Sequence, residues 1–411
     1  MPHQLALTVW ARVRAGQAGA LDELLRAGSP IPFARLPATH FGRLLLLEDG
    51  GATPVLLLGL DVDAPFEAPL DELVDVAGDC LDRVFRHCEG YPEAGVADRA
   101  GRMAYLRSHL TDVAVFYAHF AGRTLDQVRG ESELRVAIER FLDRAPAWRG
   151  RSALEVREAI REHVAGDPSL SWALGPPAAP ELGFRVREAA HMIAVPALLV
   201  LLLPVLVPAA LVWLAWLRLH ELNDPPPDVS LDPNRLRQLR EEEDLGPQNQ
   251  ISTLAEVKPG AFWHLTAWLF MGVANYSARH VFTRSSLAGL RTVHFARFMR
   301  FGRPRRVLFT SYYDGSLESY MNDFIDKVAW VLNGVFGSQS GYPRTRWLFG
   351  AGARDETGFK AFLRGRQIPT QVWYSAYPGL TAVNVDDNAR LRAGLRGAMS
   401  ETEAEAWLHL L

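Results

Sequence analysis

The chain of 411 residues has little cysteine, with only Cys80 and Cys88 and no CxxC motif or Cys/His cluster. The two cysteines lie eight positions apart in one predicted helix, which is about 12 Å of helical rise. That separation is too long for a disulfide bond. The sequence therefore predicts neither a disulfide framework nor a metal site of the zinc type.

The chain also lacks an excess of positive charge, because its formal net charge is −3 and its arginines are scattered among carboxylates. A nucleic-acid-binding surface normally shows a basic stripe, so no nucleic acid partner is expected. The first residues lack the basic head and apolar run of a signal peptide. We therefore expect the N-terminus to stay in the cytoplasm.

Motifs that identify a reaction are absent as well. The sequence has no GxSxG, HExxH or P-loop motif, and no GxGxxG that opens a helix after a strand. The remaining candidates are polar residues that a fold would have to bring together.

One long uncharged run is present, from Met192 to Leu217, and it is rich in Leu, Val, Ala and Trp. About 20 apolar residues span a bilayer, so its length permits a crossing. A buried core helix is the alternative, although such helices seldom run so long without a polar residue. We interpret the run as membrane-embedded. Three prolines within it favour kinks: Pro196, Pro204 and Pro208.

A second uncharged stretch, Pro259 to Ala278, carries His264 and Asn275 among aromatic and aliphatic residues. This composition is typical of a helix that lies at the membrane interface rather than one that spans the bilayer. A histidine in such a helix would bind haem iron or a lipid head group. His280 follows directly and is a candidate for the same roles.

The chain also repeats itself. His40-Phe41-Gly42-Arg43 recurs as His294-Phe295-Ala296-Arg297, and Gly90-Tyr91-Pro92 recurs as Gly341-Tyr342-Pro343. Asp63 recurs as Asp314 within the same ordered series. Such a series predicts a tandem duplication.

Within each copy the apolar periodicity predicts the order β-α-β-β-α-β, the ferredoxin-like motif. The predicted fold class is α+β, with tandem ferredoxin-like units that form a pseudo-dimeric α/β barrel and a membrane-embedded helical insert. The predicted domains are repeat 1 (residues 1–150), the insert with its membrane segment and polar linker (151–249), and repeat 2 (250–400). A strand at Thr345 to Phe349 has no counterpart in repeat 1, so the sheet of repeat 1 is expected to be shorter.

The topology follows from the pairing of the repeats. If the two units cover each other's sheets, they lie on one side of the membrane, and a single crossing between them would separate them. We therefore predict a re-entrant hairpin, or two crossings with residues 259–278 as the return. Both repeats are expected on the cytoplasmic side of the inner membrane. Pairing between chains, which would give a homo-oligomer, stays open.

The first candidate site residues are His294 and Arg297, with His40 and Arg43 as their counterparts. Positions i and i+3 of a strand face opposite sides, so the pair would share a pocket only if a bulge intervened. A structural histidine that bonds to backbone is the alternative.

The second candidate is Asp314, which ends the run Ser311-Tyr312-Tyr313-Asp314-Gly315. Its carboxylate would either cap the following helix or act as a general acid or base at a pocket mouth. Beyond it lie Tyr320 on that helix, then Tyr342 and Arg344. Asp323 and Asp326 share a helix face and would form either a solvated face or ion pairs.

With its tandem β-α-β-β-α-β order, the chain resembles the dimeric α/β-barrel superfamily, which includes antibiotic-biosynthesis-type monooxygenases, chlorite dismutases and dye-decolorising peroxidases. The peroxidases carry a GxxDG motif, and the nearest match here is Ser311-x-x-Asp314-Gly315, which lacks the first glycine. The resemblance implies haem as cofactor. It also implies Asp314 as the distal acid, Arg297 or Arg344 as the distal arginine, and His280 or His294 as the proximal ligand.

Two functions of different class follow. The first is a membrane-attached oxidoreductase, peroxidase-like or monooxygenase-like, whose lipophilic substrate would contact His264, Tyr312, Tyr320 and Tyr342. The second is a non-catalytic, membrane-anchored module that binds a lipid or a protein partner. Both predict a membrane lipid or a lipophilic small molecule as a partner.

Overall fold

A computed structural model describes residues 4–48, 51–92, 98–144, 148, 150–176, 182–227, 230–283, 286–302 and 305–411. The strands are β1 (Gln4–Arg12), β2 (Thr39–Leu47), β3 (Val55–Asp63), β4 (Val115–Ala118), β5 (Gln248–Glu256), β6 (Val293–Phe301), β7 (Arg306–Asp314), β8 (Thr345–Arg346), β9 (Gly350–Ala351) and β10 (Val372–Ser375). The helices are α1 (Ala18–Arg26), α2 (Glu67–Phe85), α3 (Arg99–Ser108), α4 (Leu125–Asp143), α5 (Ala153–Gly166), α6 (Leu182–Leu201), α7 (Leu203–Leu222), α8 (Pro233–Glu241), α9 (Ala261–His280), α10 (Leu317–Phe336), α11 (Glu356–Arg366), α12 (Ala382–Gly394) and α13 (Glu401–Leu408). The chain is an α+β protein, as predicted.

The strands form two four-stranded antiparallel sheets, in the orders β1-β3-β2-β10 and β4-β6-β7-β5. The outermost strand β10 pairs with β2, with Val372 opposite Leu44. In the other sheet β4 pairs with β6, with Val115 opposite Phe298. Each sheet therefore takes one strand from the other half of the chain.

The two sheets face each other, and helices cover their outer faces. β3 illustrates this arrangement, because all nine of its residues are buried and both of its faces are therefore covered. Leu57 faces the opposite sheet and packs near Met299 and Leu308, while Leu56 and Leu58 contribute to the core under the helices. Burial of each such leucine stabilises the fold by about 1.5–3 kcal/mol.

The helices that flank the sheets begin at local sequence signals. Four of them start with a capping box, in which the N-cap hydroxyl and a side chain three residues later bond each other's backbone N–H. The N-cap residues of these helices (α4, α5, α12 and α13) are Thr124, Ser152, Thr381 and Ser400. The same four helices share one apolar core that lies apart from the sheets.

The prediction of a strand at Thr345 to Phe349 was wrong. β8 covers only two residues, and its partner is β9, outside both main sheets. Trp347 and Leu348 have φ angles of 54° and 62°, so the chain reverses here instead of continuing as a strand. Both sheets consequently have four strands, and the first sheet is not the shorter one.

The long apolar run forms two helices rather than one, with the break at Leu202. Pro204 lies in the first turn of α7, where its missing N–H removes no helical hydrogen bond. Among the residues that the structure describes, α7 is the one helix whose length and composition would allow it to cross a membrane. The apolar side chains around the break are exposed, among them Val200, Leu201 and Val205.

Both α6 and α7 form a hydrogen bond with α9. In α6 the carbonyl of Met192 accepts a hydrogen bond from Tyr276 Oη (3.0 Å), and in α7 Trp213 Nε1 donates to Thr266 Oγ1 (3.1 Å). Met192 and Trp213 would lie about 32 Å apart on one straight helix, whereas Tyr276 and Thr266 lie about 15 Å apart along α9. Residues 182–222 are therefore bent about the break at Leu202, and we call this segment the α6–α7 hairpin.

Candidate functional site

The predicted histidine and arginine of each half lie in a buried polar layer between the two sheets. The strand registers shift at His40, between Thr39 and Phe41, and at His294, between Val293 and Phe295. Such a bulge turns one side chain to the other face of the strand. His294 and Arg297 consequently face the same layer despite their i, i+3 spacing.

Each histidine pairs with the aspartate that ends the neighbouring strand. His40 Nε2 lies 3.0 Å from Asp63 Oδ1, and His294 Nε2 lies 2.7 Å from Asp314 Oδ1. Both histidine side chains are fully buried. The pairs fix the bulged segments to the adjacent strands.

The second oxygen of each aspartate binds the first turn of a helix. Asp63 Oδ2 accepts from Leu125 N (2.9 Å) at the start of α4, and Asp314 Oδ2 accepts from Ala382 N (2.7 Å) at the start of α12. A carboxylate is favourable there because helix N-termini present unpaired N–H groups and a positive dipole end. Each aspartate thus joins a sheet to a distant helix.

The prediction that Asp314 caps the helix directly after it was wrong. The N-cap of α10 is Ser316, whose Oγ accepts from Ser319 N at 3.2 Å. Gly315 has a φ of 79° and redirects the chain after Asp314, which frees the carboxylate to reach α12. Asp63 is likewise no cap of α2, whose N-cap position is Phe66.

The two arginines of the layer have different partners. Arg297 donates to Asp61 on β3 and to Thr8 Oγ1 (3.0 Å), so it forms an ion pair between the sheets. Arg43 instead donates to Tyr312 Oη and Ser252 Oγ, both at 2.8 Å, and in the described part of the chain no carboxylate lies within 4 Å of it. Burial lowers the pKa of Arg43 and raises the pKa of Asp61.

Access to this layer is blocked by aromatic rings. The His294 ring lies 5.4 Å from Phe41, 5.9 Å from Phe120 and 6.2 Å from Tyr377, measured between ring centroids. None of the layer's histidines, arginines or aspartates lines a cavity described below. The arrangement holds the two sheets together.

Arg344 lies at the other end of the second sheet. It is exposed and donates to the carbonyl oxygen of Asp224. The Asp224 carboxylate pairs with Lys258, just beyond the end of β5, whereas Asp314 pairs with Gln248 at the start of β5. That strand is about 27 Å long, so the structure does not bring Arg344 and Asp314 together.

The three predicted tyrosines are core residues. Tyr312 lies in the inter-sheet layer, where its ring stacks on Phe41 at 4.4 Å. Tyr320 stacks on Tyr313 at 4.1 Å, and Tyr342 Oη donates to Asn333 Oδ1 at 2.9 Å. They do not line a common pocket.

The ion-pair alternative holds for Asp323, whose Oδ1 lies 2.7 Å from Nζ of Lys327 on the same helix.

The two histidines of α9 have different surroundings. His264 is half-buried near the start of the helix, and burial lowers its pKa. His280 ends the helix, and its Nε2 lies 2.7 Å from Nδ1 of His191 on α6. His280 also lines a cavity, described below.

An apolar cavity of about 440 Å³ lies between the second sheet and helices α9 and α10, where the sequence predicted no site. Small residues make the space, because Ala274 and Ala278 of α9 face Ala296 of β6. α10 is kinked at Val328 (φ −137°, ψ 25°), between Phe324 and Trp330, which both line the cavity. Its lining includes Val115, Tyr117, Phe270, Val273, Ala274, Ala278, Phe282, Ala296, Phe298, Phe309, Trp330, Val335 and Phe349.

A second cavity, also about 440 Å³, adjoins the first at Ala278, which lines both. Successive residues of β4 point to opposite faces, so Val115 and Tyr117 line the apolar cavity while Phe116 and Ala118 line this one. We call it the polar cavity because its lining includes Gln4, Arg187, Glu188, Asn275, Arg279, His280 and Thr283.

His294 does not fit as a haem ligand in this conformation. Its free nitrogen, Nδ1, is buried without a partner in the described residues, and the rings around it occupy the face that a macrocycle would need. The Nε2 atom of His280 is turned to His191, while its Nδ1 lies 3.9 Å from Glu188, which is beyond hydrogen-bond distance. Of the two histidines, His280 is the one that lines a cavity described here.

No protein-family model, curated protein or solved structure matches the chain.

Proposed function

We propose that the protein attaches to a membrane and binds a lipophilic small molecule or a single lipid chain in the apolar cavity. The observation that carries the proposal is the cavity itself, about 440 Å³ of space with an almost wholly apolar lining. Sites for small molecules commonly enclose 300–1,000 Å³. An apolar cavity holds water poorly, so a hydrocarbon ligand displaces little water there and makes van der Waals contacts along the whole lining.

The α6–α7 hairpin supports membrane attachment. Leu201 at its tip is 74% exposed and Val205 is 68% exposed. A contiguous apolar surface of this kind is unfavourable in water and is typical of membrane or partner contact. α9 adds an exposed apolar face beside the hairpin, formed by Leu265, Trp268, Leu269 and Val273.

The hairpin geometry favours the re-entrant topology. Both arms return to α9, and α9 covers the second sheet. A hairpin that enters and leaves on one side keeps both sheets on the same face of the membrane. We propose that this is the cytoplasmic face of the inner membrane.

The tandem ferredoxin-like architecture is part of the proposal. The two sheets have equivalent strand orders, and both carry a bulge at the histidine. Both histidines pair with an aspartate that binds a helix N-terminus. These equivalences support two copies of one unit that form a pseudo-dimeric barrel through exchanged strands.

The rim of the apolar cavity supports entry from the bilayer. Val273 of α9 is 62% exposed and Trp330 of α10 is 53% exposed, although both line the cavity. Val273 also belongs to the exposed apolar face of α9. A lipophilic molecule would thus pass from the membrane to the cavity along apolar surface.

Binding of a fluorescent probe tests the proposal. The full-length protein in a mild non-ionic detergent is titrated with N-phenyl-naphthylamine, an uncharged lipophilic probe. Ala274→Phe places a ring in the cavity, and we expect it to weaken probe binding on the order of tenfold. The control Ala261→Phe changes the same residue type at an exposed position of α9.

Unchanged binding in Ala274→Phe, or equal losses in both variants, would contradict the proposal. Mass spectrometry of lipids that co-purify with the protein identifies the natural ligand class.

A membrane-attached oxidoreductase is the second candidate, and one observation favours it. His280 lines the polar cavity beside the space for a lipophilic ligand, where a proton-transferring group would act. An absorption spectrum of protein from cells supplied with a haem precursor tests the haem-dependent form. A stoichiometric Soret band would favour this candidate over a binding module.

A further inference from the structure

We infer that the ligand is a single-chain amphiphile with an anionic head, whose chain fills the apolar cavity while its head lies in the polar cavity. The inference rests on the proposed function and adds the chemistry of the head group. The two cavities adjoin at Ala278 and share the same strand, β4, and the same helix, α9. The cavities lie on opposite faces of β4, and β4 is the outermost strand of its sheet. One molecule would therefore occupy both by passing around this edge beside Ala278, with its apolar part on one side and its polar part on the other.

The charges of the polar cavity favour an anion. Arg279 Nε donates to Glu188 Oε2 at 2.6 Å, so these two groups largely neutralise each other. Arg187 lines the same cavity, and in the described part of the chain no carboxylate lies within 4 Å of its guanidinium. The guanidinium group of Arg187 lies over the ring of Phe184, with its Cζ 5.6 Å from the ring centroid. Arg187, Arg279 and Glu188 together thus give the described lining one net positive charge, with His280 counted as neutral.

The position of Arg187 suits a carboxylate or a phosphate monoester. It belongs to the first half of α6, which packs against the end of α9 through the contact between Glu188 and Arg279. Its side chain is exposed, so it reaches both the cavity and the surface where a membrane lipid would enter. A guanidinium binds either anion through two parallel hydrogen bonds.

The test compares dodecanoate with dodecanol, which share a chain and differ in the charge of the head. Both displace the naphthylamine probe from the full-length protein at about pH 8, where a carboxylic acid is ionised. We expect dodecanoate to bind on the order of tenfold more tightly than dodecanol. Dodecyl phosphate in a third arm shows which anion is preferred.

Arg187→Gln should abolish this preference by weakening the binding of dodecanoate, while Arg187→Lys should retain part of it. Arg185→Gln is the matched control, because Arg185 is an exposed arginine of the same helix that does not line the polar cavity. Equal binding of dodecanoate and dodecanol to the unmodified protein would overturn the inference, as would equal effects of the Arg187→Gln and Arg185→Gln changes. A protein that binds neither the probe nor dodecanol would instead overturn the proposed function.

Discussion

The ion pair between Arg297 and Asp61 joins the two sheets, and its removal should show how much the barrel depends on it. Both side chains are almost fully buried. Arg297→Met leaves the Asp61 carboxylate without its partner, and loss of one member of a buried pair typically costs about 3–5 kcal/mol. We expect this loss in the free energy of unfolding.

Asp61→Leu should cost more than Arg297→Met, because Asp61 interacts with the guanidinium groups of both Arg297 and Arg43. The double variant leaves no unpaired carboxylate and replaces the pair with apolar side chains. It should therefore recover most of the stability lost in Arg297→Met. The resulting double-mutant cycle measures the coupling between the two residues.

The effect should depend on pH with a defined sign. Burial raises the pKa of Asp61 in the folded protein, and Arg297 opposes that rise. Without Arg297 the pKa rises further, so the folded variant binds a proton more tightly than the unfolded chain. Its stability is then greatest at low pH and falls as pH rises through the raised pKa. The deficit relative to the unmodified protein should be smaller near pH 5 than near pH 8.

Urea unfolding in a mild non-ionic detergent, followed by far-ultraviolet circular dichroism, measures these differences. Arg99→Met, which removes an exposed ion pair with Asp75, is the control and should change stability little. A deficit below about 1 kcal/mol in Arg297→Met, or a coupling near zero, would refute the conclusion that the pair joins the sheets.

Three further predictions concern the histidine pairs and the hairpin. Asp314→Ala removes the acceptors for His294 Nε2 and Ala382 N. It should lower the free energy of unfolding by about 3–5 kcal/mol, which thermal melting checks. The probe affinity of the folded protein should not change in a probe titration. Phe120→Tyr should stabilise the protein by about 1 kcal/mol, because it offers His294 Nδ1 a hydrogen-bonding hydroxyl. Tyr377 provides such a hydroxyl in the other half, 3.2 Å from His40 Nδ1. A lower melting temperature of the variant would argue against this prediction. Val205→Arg at the hairpin should reduce sedimentation with liposomes, because an arginine costs about 2.5–3.5 kcal/mol at the centre of a membrane helix, and undiminished sedimentation would disprove membrane insertion of the hairpin.

The sequence predicted the α+β class and most strands, because strand alternation depends on local burial. The order β-α-β-β-α that it predicted at the start of the first copy is present as β1, α1, β2, β3 and α2. The exchange of β4 and β10 was not predicted, since these pairings join residues that are 183 positions (Val115 and Phe298) and 328 positions (Val372 and Leu44) apart. The duplication remains a prediction, supported by the equivalent histidine–aspartate pairs.

The site was harder to predict than the fold. The sequence singled out both His294 and Asp314 but did not pair them, and it could not show that the bulge and Gly315 would join them in a sealed anchor. The apolar cavity was missed because its walls are ordinary core residues. One signal was available in retrospect, namely the small residues Ala274 and Ala278, spaced four apart on the face that α9 turns to the sheet.

The pairing of β2 with β10 has a consequence during synthesis on the ribosome. His40 and Tyr377 are 337 positions apart, so roughly 20 to 70 s pass between their translation at about 5 to 20 residues per second. Throughout that time the outer edge of β2, from Phe41 to Leu44, presents unpaired N–H and C=O groups beside apolar side chains. A nascent chain truncated before residue 372 would keep this edge open permanently, and we expect such products to aggregate or to recruit chaperones.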